Sequence, residues 1–314
     1  MSTSYHELHV PLTGASGFVA SHILSILLEV GKVHFVIVAD FTSRTLFNTW
    51  FKDTKVPFDY DIHTASPLKF NIEDMQREMI EPAVQGTTQI LQSALQHGGS
   101  TLKRFVLLGS AVSVTAQQAI ERKDSVLGYN VSNTQVEKKA WDFMTEYKPQ
   151  FDLTVINPDI ITGPMIHPME GRGSINETNY FAVASFIDET NPRVEEVLFP
   201  FYHFVDVRNV ARSHVDALTN PAAAGQHILL VSGLITPQLV VNFIRKHFPN
   251  LRNNVLERMP AKELPEGVHP TGWDMRVSLA ILSKGSGSEW RYIGLEDSVK
   301  DTVQSMIQRG VLTN

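Results

Sequence analysis

Apolar residues follow two rhythms along the first half of this chain. Short apolar runs of strand length alternate with longer stretches in which apolar positions recur every three or four residues. "LHVPLTG" reads as a strand entering a turn, and "FVASHILSILLEVG" as a helix. That helix carries Val19, Ile23, Ile26 and Leu27 on one face and stops at Gly31. "VHFVIVAD" is a second strand, apolar almost throughout, as a strand covered on both faces should be. "FDYDIHTASP" is a third strand, "MIEPAVQGTTQILQSALQHGG" a helix ending in glycines, and "KRFVLLGSAVSV" a fourth strand. "QVEKKAWDFMTEY" is a helix and "FDLTVINPDIITGP" a fifth strand. Strands and helices in strict alternation predict an α/β fold with a doubly wound parallel sheet.

After Pro164 the rhythm loosens. "MIHPMEGRGSINETNY" is polar and reads as a loop over a pocket. "FYHFVDVRNVARSHVDAL" turns a short strand into a helix, and "PQLVVNFIRKHFP" and "LEDSVKDTVQSMIQRG" are amphipathic helices. The expected division is a Rossmann-type dinucleotide-binding domain over 1–160. Residues 161–314 form a smaller, mainly substrate-binding region, partly interleaved with it.

Between the first strand and helix, "TGASGFVAS" places Gly14, Gly17 and Ala20 in a G-x-x-G-x-x-A pattern. The first glycine permits a tight turn, the second lets backbone approach a pyrophosphate, and the small third residue lets helix and strand pack closely. Asp40 ends the second predicted strand, where a carboxylate can bind the adenosine ribose hydroxyls and favours NAD. Arg44, four residues on, would instead meet the 2′-phosphate of NADP. The expectation is NAD or NADP, with NAD favoured.

Composition removes several alternatives. Among 314 residues there are 27 basic and 33 acidic ones, a net charge of −6, without a basic block, so no nucleic acid is expected as partner. The absence of cysteine excludes disulfides, thiolate metal sites and cysteine nucleophiles. The histidines show no metal-site spacing, and no metal is expected. The start of the chain lacks a signal-peptide pattern and no apolar run is long enough to span a bilayer. A cytoplasmic protein is expected, without a membrane partner, acting on a small molecule as a monomer or homodimer.

These segments resemble the extended branch of the short-chain dehydrogenase/reductase superfamily, which includes NAD-dependent epimerases and dehydratases. The closest likeness is to the dihydroflavonol-reductase-like group with its fungal aldehyde and ketone reductases. "TGASGFVASHIL", "HTASP", "EPAVQGTTQIL", "RFVLLGS", "INPDIITGP" and "HFVDVRNVARSHVDAL" carry the resemblance, in the family's order and over most of the chain. It implies cofactor contacts from Gly14, Ser16, Gly17, Phe18 and Val19 at the turn, and from Asp40 and Arg44 at the ribose. It implies others from Thr64, Ala65 and Ser66 after the third strand, and from Tyr129, Asn157 and Pro158 near the nicotinamide.

In that family a Ser holds the substrate carbonyl oxygen, a Tyr protonates it, and a Lys four residues after the Tyr lowers the Tyr pKa and binds the ribose. Ser110 and Tyr129 take the first two positions; the Lys position falls on Asn133. An amide can still bind a ribose hydroxyl but supplies no positive charge. Reduction, in which neutral Tyr is the donor, suffers less than oxidation. No Tyr in the chain has a Lys four residues later, and Lys138 lies nine positions on, about 180° round the helix.

Two intervals are also short for the family: 23 positions from Asp40 to His63, and 19 from Ser110 to Tyr129. The first accommodates one short helix, "RTLFNTWF", and implies that a sheet-edge strand is missing. Asp159, after Asn157-Pro158, is expected near the pocket floor as an acid/base group, with His167 and His203 as further candidates. Met165, Ile166, Phe181, Phe199 and Phe201 suggest an apolar substrate. The first reading is an NAD(P)-dependent aldehyde or ketone reductase using Ser110 and Tyr129, with Asn133 and Asp159 in the site. The alternatives are a non-redox isomerase, cyclase or dehydratase on the same fold, and an inactive relative that senses or binds.

Overall fold

The computed structural model describes residues 8–30, 42–53, 57–66, 74, 76–114, 125–187, 197, 199, 202–287 and 289–312. Five described strands form one parallel sheet: β1 (Leu12–Thr13), β2 (Tyr60–His63), β3 (Arg104–Leu108), β4 (Asp152–Pro158) and β7 (His227–Leu230), in the order β1-β2-β3-β4-β7. The central strands are buried along almost their whole length, which is why their sequences are near-continuously apolar. Side chains alternate between two cores. Phe105 and Leu107 join Leu153, Val155, Phe47, Ile90 and Phe143 on the side of α2 (Arg44–Asp53), α3 (Glu81–His97) and α4 (Ser125–Tyr147). Val106 and Ile156 join Ile23 and Val210 on the side of α1 (Phe18–Val30) and α6 (Val207–Thr219).

The expected fifth strand is in fact two. β4 ends at Pro158, the N–H of Asp159 bonds Leu230 O at 3.1 Å, and β5 (Ile160–Thr162) begins in a different sheet. That sheet has the order β5-β6-β8, with β6 (His203–Asp206) parallel to β5 and β8 (Gly233–Leu234) antiparallel to β6. The sequence conceals the switch, because both halves read as strand and both are mostly buried.

The loop expected over 165–180 also contains structure: a 3-10 turn over Arg172–Ser174 and α5 (Glu177–Ala182). α4 starts at Ser125, ten residues before the helix read from the sequence. The predicted second strand, Asp40 included, lies outside the described residues, as does the question of a missing edge strand.

The C-terminal helices anchor the segment after β4. α7 (Pro237–His247) and α8 (Arg276–Ser286) precede α9 (Leu295–Gln308). Ser298, Thr302 and Ser305 line one face of α9 at helical spacing. They bond Thr162 Oγ1 at 2.8 Å, Gly163 N at 2.9 Å and Met165 N at 3.1 Å. Gly163 has φ +133°, and a Cβ there would collide with Val207 and Asp206. Asp206 caps α6 by accepting from Arg208 N and holds the Arg208 guanidinium, which also reaches Asp301 on α9.

Candidate functional site

The carboxyl ends of parallel strands in such sheets face the ligand crevice, and of the expected residues Gly14, Thr64, Ala65, Ser110 and Asn157 stand at those ends. Gly14 follows β1 with φ +72°, and its backbone sits so close to Thr64 and Ala65 that an added Cβ would lie 3.2 Å from each. Gly17 N donates to Gly14 O at 2.8 Å, closing the turn before α1. The first N–H groups of α1 lack helical acceptors and face an anion with the positive end of the helix dipole. Ser16 and Gly17 are exposed, whereas Phe18 and Val19 are buried. Only the backbone of the latter two can serve a ligand, since the Phe18 ring packs edge-on against His22 and His167.

Thr13, which the sequence reading passed over, fixes this turn. Its hydroxyl oxygen lies 3.1 Å from Thr64 N and 3.3 Å from Ala65 N, both donors, while Thr64 Oγ1 donates to Thr13 O at 2.6 Å. The Thr13 hydroxyl hydrogen is then left for His63 Nδ1, 2.7 Å away. His63 is neutral: burial lowers its pKa to about 4. Ser66 is exposed beside this pair, Arg44 opens α2, and the Arg44 side chain lies outside the described residues.

Ser110 stands two residues past β3 and is buried. Gly109 before it donates to Ile156 O at 2.8 Å, and a Cβ at 109 would collide with Asn157 Oδ1. Asn157 is buried on β4, next to Pro158. Its Nδ2 lies 3.2 and 3.3 Å from the two oxygens of Glu137 on α4. An ionised carboxylate only accepts, so the nitrogen of the Asn157 amide must be the atom facing it.

Tyr129 falls in the first two turns of α4; its side chain lies outside the described residues. Asn133, one turn later, is half-buried. Lys138 is exposed and donates to Asp142 Oδ2 at 2.8 Å, as its helical position predicts, and does not stand in for the absent Lys.

Asp159 is buried where the chain changes sheets. Burial pushes its carboxyl up to about 7, against hydrogen bonds from Ile160 N–H and Trp273 that favour ionisation. Such a group can hold or give a proton near neutrality. His167 is buried with Nε2 3.1 Å from Ser174 O, and His203 opens β6 in the second sheet. The apolar candidates divide. Met165 and Phe199 are buried, and Ile166 and Phe181 are exposed. The Phe181 and Phe199 rings are 5.0 Å apart, and Phe201 lies outside the described residues. No metal-binding cluster of His and carboxylates occurs among the described residues, and none of their helices is long and apolar enough to cross a membrane.

Glu137, Ser113 and His227 were also missed in the sequence. Glu137 is one helical turn beyond Asn133, so its placement on the site-facing side of α4 follows from spacing alone.

Comparison with known proteins identifies the family and the fold. The model of the NAD dependent epimerase/dehydratase family matches residues 10–231. The ketoreductase azaE of Aspergillus niger is 28% identical over 341 aligned residues, covering 96% of this chain and 98% of its own. The NADPH-dependent methylglyoxal reductase Gre2 of Saccharomyces cerevisiae is 23% identical over 96% of this chain and 98% of its own. Its fold, seen in the crystal structure of the yeast methylglyoxal/isovaleraldehyde reductase complexed with NADPH, superposes with a TM-score of 0.82 at 23% identity. That match covers 96% of this chain and 99% of the other. The Candida albicans Gre2 structure with NADPH gives 0.77 at 27% identity, over 96% and 99%. The chain belongs to the NAD dependent epimerase/dehydratase family. An alignment of 341 positions against 314 residues requires gaps in this chain, in keeping with its short intervals.

Proposed function

We propose, from membership of that family, that this protein is a nicotinamide-nucleotide-dependent reductase of aldehydes or ketones. The observation that carries the reading is the convergence of the Gly14–Gly17 turn, Thr64–Ala65, Ser110 and Asn157 at one edge of a single parallel sheet. The close approach of Gly14 to Thr64 and Ala65, and the free first turn of α1, fit a pyrophosphate. When bound, the nicotinamide would supply the hydride.

The remaining work falls to side chains. Ser110 donates to the substrate carbonyl oxygen and Tyr129 gives it a proton. Asn133 takes the ribose hydroxyl position without adding charge, which favours reduction, where the phenol starts neutral, over oxidation. Ile166, Phe181 and Phe199 give the substrate side an apolar lining. For the nucleotide we propose NADPH, which revises the leaning toward NAD: the two Gre2 reductases named above are NADPH-dependent or were crystallised with NADPH. Arg44 is then the residue for the 2′-phosphate.

The test is titration with NADPH and NADH, followed by carbonyl-dependent NADPH oxidation with methylglyoxal and isovaleraldehyde. The expected result is tighter NADPH binding and turnover. Ser110→Ala and Tyr129→Phe should each lower turnover by about 100-fold or more. No binding of either nucleotide at millimolar concentration overturns the reading.

A further inference from the structure

One carboxylate ties the candidate site together from behind. Glu137 is buried, and its two oxygens face four donors from four segments. Ser113 Oγ, in the 3-10 turn after Ser110, lies 2.7 Å from Oε2. Asn157 Nδ2 from β4 lies 3.2 Å away, and Trp141 Nε1 from the next turn of α4 lies 3.4 Å from Oε1. His227 Nδ1, from the start of β7, is 2.5 Å from Oε1. Two of these donors belong to the segments that carry Ser110 and Asn157.

The Ser113 hydroxyl is shared. Its oxygen is also 2.5 Å from Ser110 O, so one hydrogen faces two acceptors. Its pull toward Glu137 or toward the Ser110 carbonyl depends on how much negative charge Glu137 holds. His227 is the ionisable group in contact with that charge among the described residues. Lys138 and Lys139 on the same helix are exposed, and Lys138 pairs with Asp142. From the turn after β3 and from β4 the facing groups are the neutral Ser113 and Asn157. The His227 side chain is 58% exposed, so solvent reaches its pairing with Glu137. Its ring also stacks on Trp141, with centroids 4.6 Å apart.

We propose that Glu137 is the positioning residue of the site, holding the Ser110 turn and the Asn157 amide in one frame, and that His227 makes this frame respond to pH from the outer surface. Glu137 touches neither substrate nor nucleotide; it acts through Ser113 and Asn157. Burial raises its pKa, but the hydrogen bonds from His227 and Ser113 and the charge of His227 outweigh burial and leave it below the ordinary value. Glu137 is therefore ionised at neutral pH and can accept from all four donors.

The experiment compares wild type, Glu137→Gln and His227→Gln. Glutamine keeps the length of Glu137 but turns one acceptor into a donor among donors, which a merely space-filling role would tolerate. Expected for Glu137→Gln is a kcat with isovaleraldehyde about 10- to 100-fold lower, because small displacements of reacting groups have effects of that size. The Kd for NADPH, read by fluorescence, should stay within about threefold by the same argument, since the glycine turn is untouched. For His227→Gln, the pH dependence of kcat between about 5 and 8 should flatten. Over the same range the change in tryptophan emission caused by a protonated imidazole on Trp141 should vanish. Wild-type kcat in Glu137→Gln, or an unchanged pH profile and emission titration in His227→Gln, overturns the proposal. It rests on the reductase reading, yet the two can fail separately. A wild type that binds no nucleotide defeats that reading, while the emission titration still reports whether His227 and Glu137 are coupled.

Discussion

Two carboxylates lie buried in this α/β core and meet opposite fates. Asp61, on β2, is fully buried, and neither of its oxygens has a hydrogen-bond partner among the described residues. Burial alone raises its pKa well above the ordinary value, so it sits in the core as a neutral acid. Glu137 is buried to a similar extent at α4, yet four donors keep it ionised. What separates them is the supply of N–H and O–H groups. The β1–β2 half is knit by neutral groups: Thr13, Thr64 and His63 Nδ1 bond one another, and among the described residues none of these bonds reaches Asp61. The β3–β4–α4 half is organised around a charge. A nucleotide turn needs only backbone in the right place, whereas a site that moves protons needs side chains fixed against each other.

The largest effect should come from removing the charged hub. Glu137→Leu leaves the Asn157 amide without its acceptor and the Ser113 hydroxyl with Ser110 O alone, and an orphaned buried donor costs roughly 1–3 kcal/mol. A loss of about 2 kcal/mol in denaturant unfolding at pH 7 is expected. Asp61→Val removes a polar group that had no partner and should gain about 1–2 kcal/mol in the same measurement. Equal losses for the two would erase the distinction.

Acidity sharpens the contrast. The folded-state pKa of Asp61 is raised, so its contribution is most favourable below the unfolded value near 3.8 and is lost as pH rises toward the folded value. Glu137, whose pKa is lowered, contributes above the unfolded value near 4.5, and that contribution is lost as pH falls through its folded value. Unfolding curves of Asp61→Asn and wild type should therefore diverge in favour of the variant as pH rises above about 4, at up to about 1.4 kcal/mol per pH unit. Parallel stabilities across that range would mean that Asp61 is ionised in the fold.

Much of this was legible in the sequence, and the rest was hidden for identifiable reasons. The parallel sheet and the glycine turn follow from apolar periodicity and a few glycines, whereas the positions of Ser110 and Asn157 came from the family resemblance. The switch of sheets at Asp159 was not legible, because the residues on either side of it both read as strand and are mostly buried. Nor was the role of Thr13: a hydroxyl at a strand end is unremarkable until Thr64, fifty-one positions later, is seen to close on it. Glu137 was half-legible. Helical spacing puts it beneath Asn133, but its partner His227 is ninety positions away and no local pattern connects them. Sequence periodicity records which way a residue points, and the long-range partner decides what it does there.

The smallest effect closes the comparison from the outside. Asp142 is a third carboxylate on α4, exposed and paired with Lys138 at 2.8 Å one turn away. Lys138 lowers its pKa through that hydrogen bond, but water screens the pair and competes for both groups. Lys138 also faces away from Tyr129 and Asn133, so it neither replaces the missing Lys nor supports the Ser110 turn. Lys138→Ala should leave the unfolding midpoint and the kcat for NADPH-dependent aldehyde reduction unchanged within error. By contrast, Asn133→Lys puts an ammonium on the site-facing side of the same helix and should raise the rate of the reverse, alcohol-oxidising reaction together with that of reduction. A fall in reduction on changing Lys138 would show that α4 presents that side chain to the site in solution, and that the charge lost at position 133 had been moved rather than given up.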